Sequence, residues 1–77
     1  MKLVVKEKGY YIYKINSTYY RLAKRFDLSG VSWDLDEVNR KDFTENGVQY
    51  TNYELESNID FSTRKKDLLE ILKNIIK

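Results

Sequence analysis

The chain contains no cysteine, no histidine and no proline, and only three glycines. Without cysteine there can be no disulfide, no thiolate nucleophile and no thiolate metal site. Without histidine the commonest general base and the commonest metal ligand are gone. Zinc, haem and Cys–His or Ser–His chemistry are thereby nearly excluded, and no metal or other cofactor is expected. Catalysis would have to run on carboxylates, lysines, tyrosines or serines. There is no Gly-rich phosphate loop and no nuclease-type acidic motif with a spaced Glu-x-Lys, so the expectation is a protein that is not an enzyme.

Long apolar runs are also missing. Leu3-Val4-Val5 ends at Lys6, too short for a signal peptide or a membrane span. A cytoplasmic protein without a membrane partner is expected. Asn16-Ser17-Thr18 then reads as a turn and not as a glycosylation site. No repeat and no Pro- or Gly/Ser-type linker divides the 77 residues, which are expected to form one domain spanning 1–77. Hydrophobic residues make up 42%, but seven of them are tyrosines, which leaves 25 others for a core. That suffices for one sheet with one helix on it, and it makes support from a partner or a second copy plausible.

Lysine (10), tyrosine (7), isoleucine (6) and asparagine (6) are abundant and alanine occurs once, a bias toward AT-rich codons. Charge is segregated. Residues 1–30 carry seven basic and two acidic groups, residues 31–61 two basic and eight acidic, and residues 62–77 five basic and two acidic. The net charge of +2 thus conceals a basic–acidic–basic pattern.

The spacing predicts α+β architecture: an antiparallel meander of four or five strands with a C-terminal helix packed on one face. Residues 2–6, 10–15 and 18–26 read as three strands. A three-residue loop at Glu7-Lys8-Gly9 and a two-residue turn at Asn16-Ser17 join them. This register puts Leu3, Val5, Tyr11, Tyr13, Ile15, Tyr20 and Leu22 on a core face. Lys2, Val4, Lys6, Tyr10, Ile12, Lys14, Tyr19 and Arg21 fall on the other face. In the middle of the chain, Asp34 and Glu37 fit a capping box for a short helical turn holding Leu35 and Val38, with Trp33 and Phe43 as apolar anchors. Asn46-Gly47 is the strongest turn signal, joining a short strand near 41–45 to one over 48–56 that Ser57-Asn58 breaks. Leu68, Ile71, Leu72, Ile75 and Ile76 recur at helical spacing behind a cap at Ser62 or Thr63, with Leu69 widening the stripe and Lys77 on the polar side.

Four groups of residues are candidates for contact with another molecule. Tyr10, Lys14, Tyr19 and Arg21 interleave aromatic and basic groups on one sheet face, a pattern that suits a protein partner or the phosphates and bases of single-stranded nucleic acid. Arg64, Lys65 and Lys66 put three cations in a first helical turn, against the macrodipole, which suits phosphate or an acidic surface. The acidic segment Asp34, Asp36, Glu37, Asp42 and Glu45 suits a basic protein surface. Asp34, Asp36, Asp42 and Glu45 also echo calcium-loop spacing, but Val38 takes a ligand position and Asn39 stands where the sharp turn needs glycine. The density of tyrosine itself suits an interface.

The leading expectation is a small protein-binding module. In profile (one tiny domain, AT-biased, charge-segregated, without catalytic residues) it is similar in type to phage- or mobile-element-encoded inhibitors and regulators that occlude a host protein. The alternatives are a nucleic-acid-binding module using the Tyr/Lys face, and a structural subunit that forms homo-oligomers.

Overall fold

The structure is a computed structural model and describes residues 1–28 and 30–75. Five strands, β1 (Lys2–Glu7), β2 (Tyr10–Ile15), β3 (Thr18–Asp27), β4 (Gly30–Glu45) and β5 (Val48–Ser62), precede one helix, α1 (Lys65–Ile75). The strands form a single sheet in the order β1-β2-β3-β4-β5, each antiparallel to its neighbour. The chain is therefore a five-stranded meander closed by a helix. Ile76 and Lys77, expected in the helix, lie outside the described residues, as does Ser29.

Turn chemistry sets the registers. Asn16 and Asn46 both hold positive φ, 57° and 52°, which asparagine tolerates better than other side chains. They open the two-residue turns that place Ile15 opposite Thr18 and Glu45 opposite Val48. The first hairpin differs from its expected form. Glu7 pairs with Tyr10, so the loop is Lys8-Gly9 and not three residues, with Gly9 at φ 74°. The register then shifts between Leu3 and Val5, a bulge at Val4. Because the loop is one residue shorter, Val5 pairs with Ile12, not Tyr11, and Lys6 pairs with Tyr11, and the bulge then returns Leu3 to Tyr13. Val5 and Lys6 exchange the faces that simple alternation assigns them. The shorter loop gives Ile12 an apolar neighbour in Val5, and Ile12 is completely buried although alternation puts it on the polar face. The turn is also tied to the next strand, because the Lys24 N–H donates to the Gly9 carbonyl at 2.8 Å.

The middle of the chain is strand, not helix. β4 runs unbroken through the expected helical turn, and Asp34 and Glu37, the supposed capping pair, point to opposite faces of the sheet. A single helical turn has little intrinsic stability. As a strand the same residues gain a full ladder with β3, Leu35 opposite Leu22, and two ion pairs to β3 arginines. Nor does Ser57-Asn58 end β5; two register shifts there let the strand continue to Ser62.

One face holds the main core. Ile15, Tyr20, Leu22 and Leu35 from the sheet share a buried cluster with Leu68 and Leu72 from α1, and Tyr11, Tyr13, Trp33, Leu69, Ile71 and Ile75 border it. Burying each such aliphatic side chain stabilises the fold by about 1.5–3 kcal/mol. The Ser62 hydroxyl accepts from the Arg64 N–H (3.2 Å) and donates to Asp67 (2.8 Å), organising the helix start. We call this side of the sheet the helix face and the other the open face.

β4 and β5 outrun the sheet. Pairing with β3 ends at Tyr19–Val38, and beyond it Asn39–Glu45 pairs only with β5. These seven residues project as a two-stranded ribbon of about 23 Å. Phe43, expected as a core anchor, lies on this ribbon, exposed and stacked on Tyr50 with ring centroids 5.4 Å apart.

Candidate interaction surface

The open face gathers residues from four strands. Cross-strand pairing sets Lys14 beside Tyr19 and Ile12 beside Arg21, and puts Tyr10 beside Ala23. Arg21 then pairs with Asp36, and Tyr19 with Val38. Where the ribbon leaves the sheet, Arg40 lies opposite Tyr53. The four predicted residues Tyr10, Lys14, Tyr19 and Arg21 therefore do share a face.

Tyr19 is the centre of this face. The Arg40 guanidinium donates to its hydroxyl at 3.3 Å, the Lys14 ammonium lies 5.6 Å from its ring centroid, and the Tyr53 ring packs at 5.7 Å. The Arg40 hydrogen bond, helped by the positive charge of Lys14, holds the Tyr19 phenol below the ordinary tyrosine value, against an opposing effect of burial. Burial pushes Tyr53 the other way. Arg40 also reaches Asp42 at 3.1 Å, and the Thr51 hydroxyl donates to that carboxylate at 2.7 Å. Bonds from Thr51 and then Arg40 keep Asp42 below the usual carboxylate value. Tyr19, Arg40, Asp42 and Thr51 are thus one connected polar chain lying along the root of the ribbon.

The acidic segment is not one surface. Asp36 is buried, taking a hydrogen bond from Arg21 at 3.0 Å and another from the Asn58 amide at 2.7 Å. Asp34 pairs with Arg25 at 3.1 Å. Glu37 stands on the helix face opposite Tyr20, and Glu45 beside the ribbon's turn. Because the segment is extended, Asp34 and Glu45 lie roughly 36 Å apart along the strand, so a calcium loop does not form.

Arg64, Lys65 and Lys66 stand apart from the open face. The Lys65 ammonium sits 3.9 Å from the Tyr11 ring centroid and 5.6 Å from that of Trp33, on the helix face. This contact compensates one of the three cations for its position at the helix N-terminus. Arg64 and Lys66 are exposed.

Two members of the tyrosine cluster, Arg40 and Tyr53, are not distinguished by sequence motif. Their signal was the Asn46-Gly47 turn: extending its register outward places Arg40 opposite Tyr53. In comparisons with known proteins, no family model, no curated protein and no solved structure matches the chain, so its function is argued from this surface alone.

Proposed function

We propose that the chain is a non-enzymatic protein-binding module that contacts its partner through the open face, from Tyr10 and Lys14 across Tyr19 to Arg40 and Tyr53. The observation that carries this reading is the pairing of charge on that face. Lys2, Lys14, Arg21, Arg25 and Arg40 share it with Glu7, Asp34, Asp36 and Asp42, and the inner arginines are already bound to carboxylates. A single-stranded nucleic acid needs an unbroken positive track for its phosphates. A protein partner needs rigid aromatic and arginine anchors in a mixed polar setting, and Tyr10, Tyr19, Tyr53 and Arg40 supply them.

The module would act by occlusion, as small inhibitors do. Its test is photocrosslinking with a reactive phenylalanine analogue at Tyr53, and in parallel at Glu70 on the outer side of the helix. A partner crosslinked only from position 53, and lost on Tyr19→Ala or Arg40→Glu, supports the reading. Salt-dependent micromolar binding of oligonucleotides that Lys14→Glu abolishes would replace it with the nucleic-acid alternative. A mass that doubles with concentration and reverts on Tyr19→Ala would make the face a contact between copies.

A further inference from the structure

The end of the molecule away from the ribbon carries a different surface, which borders the open face at Arg25 and Phe61. Phe26 and Val31 pair across the β3–β4 hairpin, and Leu28 follows in its turn. Phe26 is 75% exposed, Phe61 70%, and Leu28 wholly so. These are the most exposed large apolar side chains among the described residues, and Phe26 and Phe61 lie near the same end on opposite faces of the sheet. Arg25, Asp27, Ser32, Phe61, Ser62 and Thr63 line a hollow of about 380 Å³ at the base of this hairpin.

Cations surround the apolar tip. Lys8, Gly9, Lys24 and Phe26 line a second hollow of about 330 Å³, with the Lys24 ammonium 5.1 Å from the Phe26 ring centroid. On the other side the chain runs from Phe61 through Thr63 into Arg64 and Lys66, both exposed at the helix start. The fold thus brings Lys8 and Lys24 and the basic helix start to the same end. Acidic groups here are Asp27 in the hairpin, Asp34 bound to Arg25, Asp67 bound to the Ser62 hydroxyl, Glu7 beside Lys8, and Asp60, whose carboxylate accepts the Phe61 N–H at 2.8 Å.

We infer that this end is a docking surface for a bilayer of anionic phospholipids. The hairpin tip would enter the headgroup region with Leu28 and Phe26 leading, and Lys8, Lys24, Arg64 and Lys66 would lie against the lipid phosphates. Apolar insertion ringed by basic residues is how peripheral proteins hold anionic membranes, and it requires no spanning segment. No helix among the described residues is long and apolar enough to cross a membrane, and the expectation of no membrane partner rested on that kind of segment alone. A nucleic acid would meet the cations but leave the aliphatic tip without a partner, so the bilayer accounts for more of the surface.

The test is co-sedimentation of the purified chain with vesicles of phosphatidylcholine alone and of phosphatidylcholine mixed with phosphatidylglycerol. The expected result is partition onto the anionic vesicles only, weakened by salt. Lys24→Glu and Lys66→Glu should each weaken it at least about fivefold, the effect of one lost interfacial cation. Leu28→Asp should remove most of it, and Val48→Asp, an equally drastic change at the opposite hairpin, should leave it intact. Circular dichroism of each variant establishes that it is folded. No partition onto anionic vesicles at low salt overturns the proposal. So does equal partition of Leu28→Asp and the parent chain, since adsorption would then be by charge alone. Self-association that Leu28→Asp abolishes, without vesicle binding, would make the tip a protein contact and also overturn it.

Discussion

Tyr19 lies between two cations, and its ionisation reports whether the cluster forms in solution. Its folded value is depressed below 10.0, first through the Arg40 hydrogen bond. The stability this gives is fully present above the unfolded value and is lost as pH falls through the lower folded value. In an absorbance titration of the phenolate band, one tyrosine should therefore ionise ahead of the rest, and Tyr53 should ionise late. Arg40→Leu should move the early one upward; an unchanged titration would mean that Arg40 does not hold Tyr19. Much of this cluster is readable from the chain, because period-two alternation about Asn16-Ser17 places Tyr10, Lys14, Tyr19 and Arg21 together. Arg40 and Tyr53 are harder to read. The helical signal of Asp34 and Glu37 interrupts β4 on paper, and with it the register that runs back from Asn46-Gly47. Helix signals are local, whereas the β3 ladder that overrides them comes from residues about 15 positions away, as the Arg21–Asp36 pair shows.

Among the elements, the two asparagine-led turns and the helix were the most legible and the irregularities the least. The β1–β2 loop is one residue shorter than expected, and the β3–β4 turn carries no expectation. Glycine and asparagine at turns announce themselves through the left-handed backbone they tolerate. The bulge at Val4 leaves no such mark, since any residue can occupy it. Its role emerges only from the completed sheet, where it returns Leu3 to Tyr13 after the two-residue turn has set Val5 beside Ile12. Two of the three positive-φ glycines, Gly9 and Gly47, give a direct comparison. Gly47 (φ 78°) faces open space, so Gly47→Ala should cost about 1 kcal/mol of backbone strain. Gly9 (φ 74°) carries the same strain, and an added Cβ would also stand 3.2 Å from the Lys24 Cβ, which belongs to a paired strand and not to a flexible tip. Gly9→Ala should therefore cost more, about 2 kcal/mol, in urea unfolding. Equal losses would show that the β1–β2 turn can move away from β3.

For the molecule as a whole, the charge pattern is the feature that sequence described correctly and interpreted incompletely. The basic first third and acidic middle are neighbours, and β3 arginines neutralise β4 aspartates across one ladder. Lys8 and Lys24 stand beside the β3–β4 hairpin and Arg64 and Lys66 at the helix start, and the ribbon carries no core on either face. A two-stranded ribbon without a third strand has little stability of its own. Amide exchange should therefore be fastest over 39–54, well before β2 and β3 exchange by global opening. Protection of the ribbon equal to that of β3 would contradict its independence.

The order β1-β2-β3-β4-β5 also has a kinetic meaning. Every strand finds its partner immediately before or after it in the chain, across a two-residue connection. No ladder has to wait for a distant segment, so each hairpin closes a short loop before the next is added. The helix supplies the one long closure. Its late arrival would convert a zipped but one-sided sheet into a molecule with an interior.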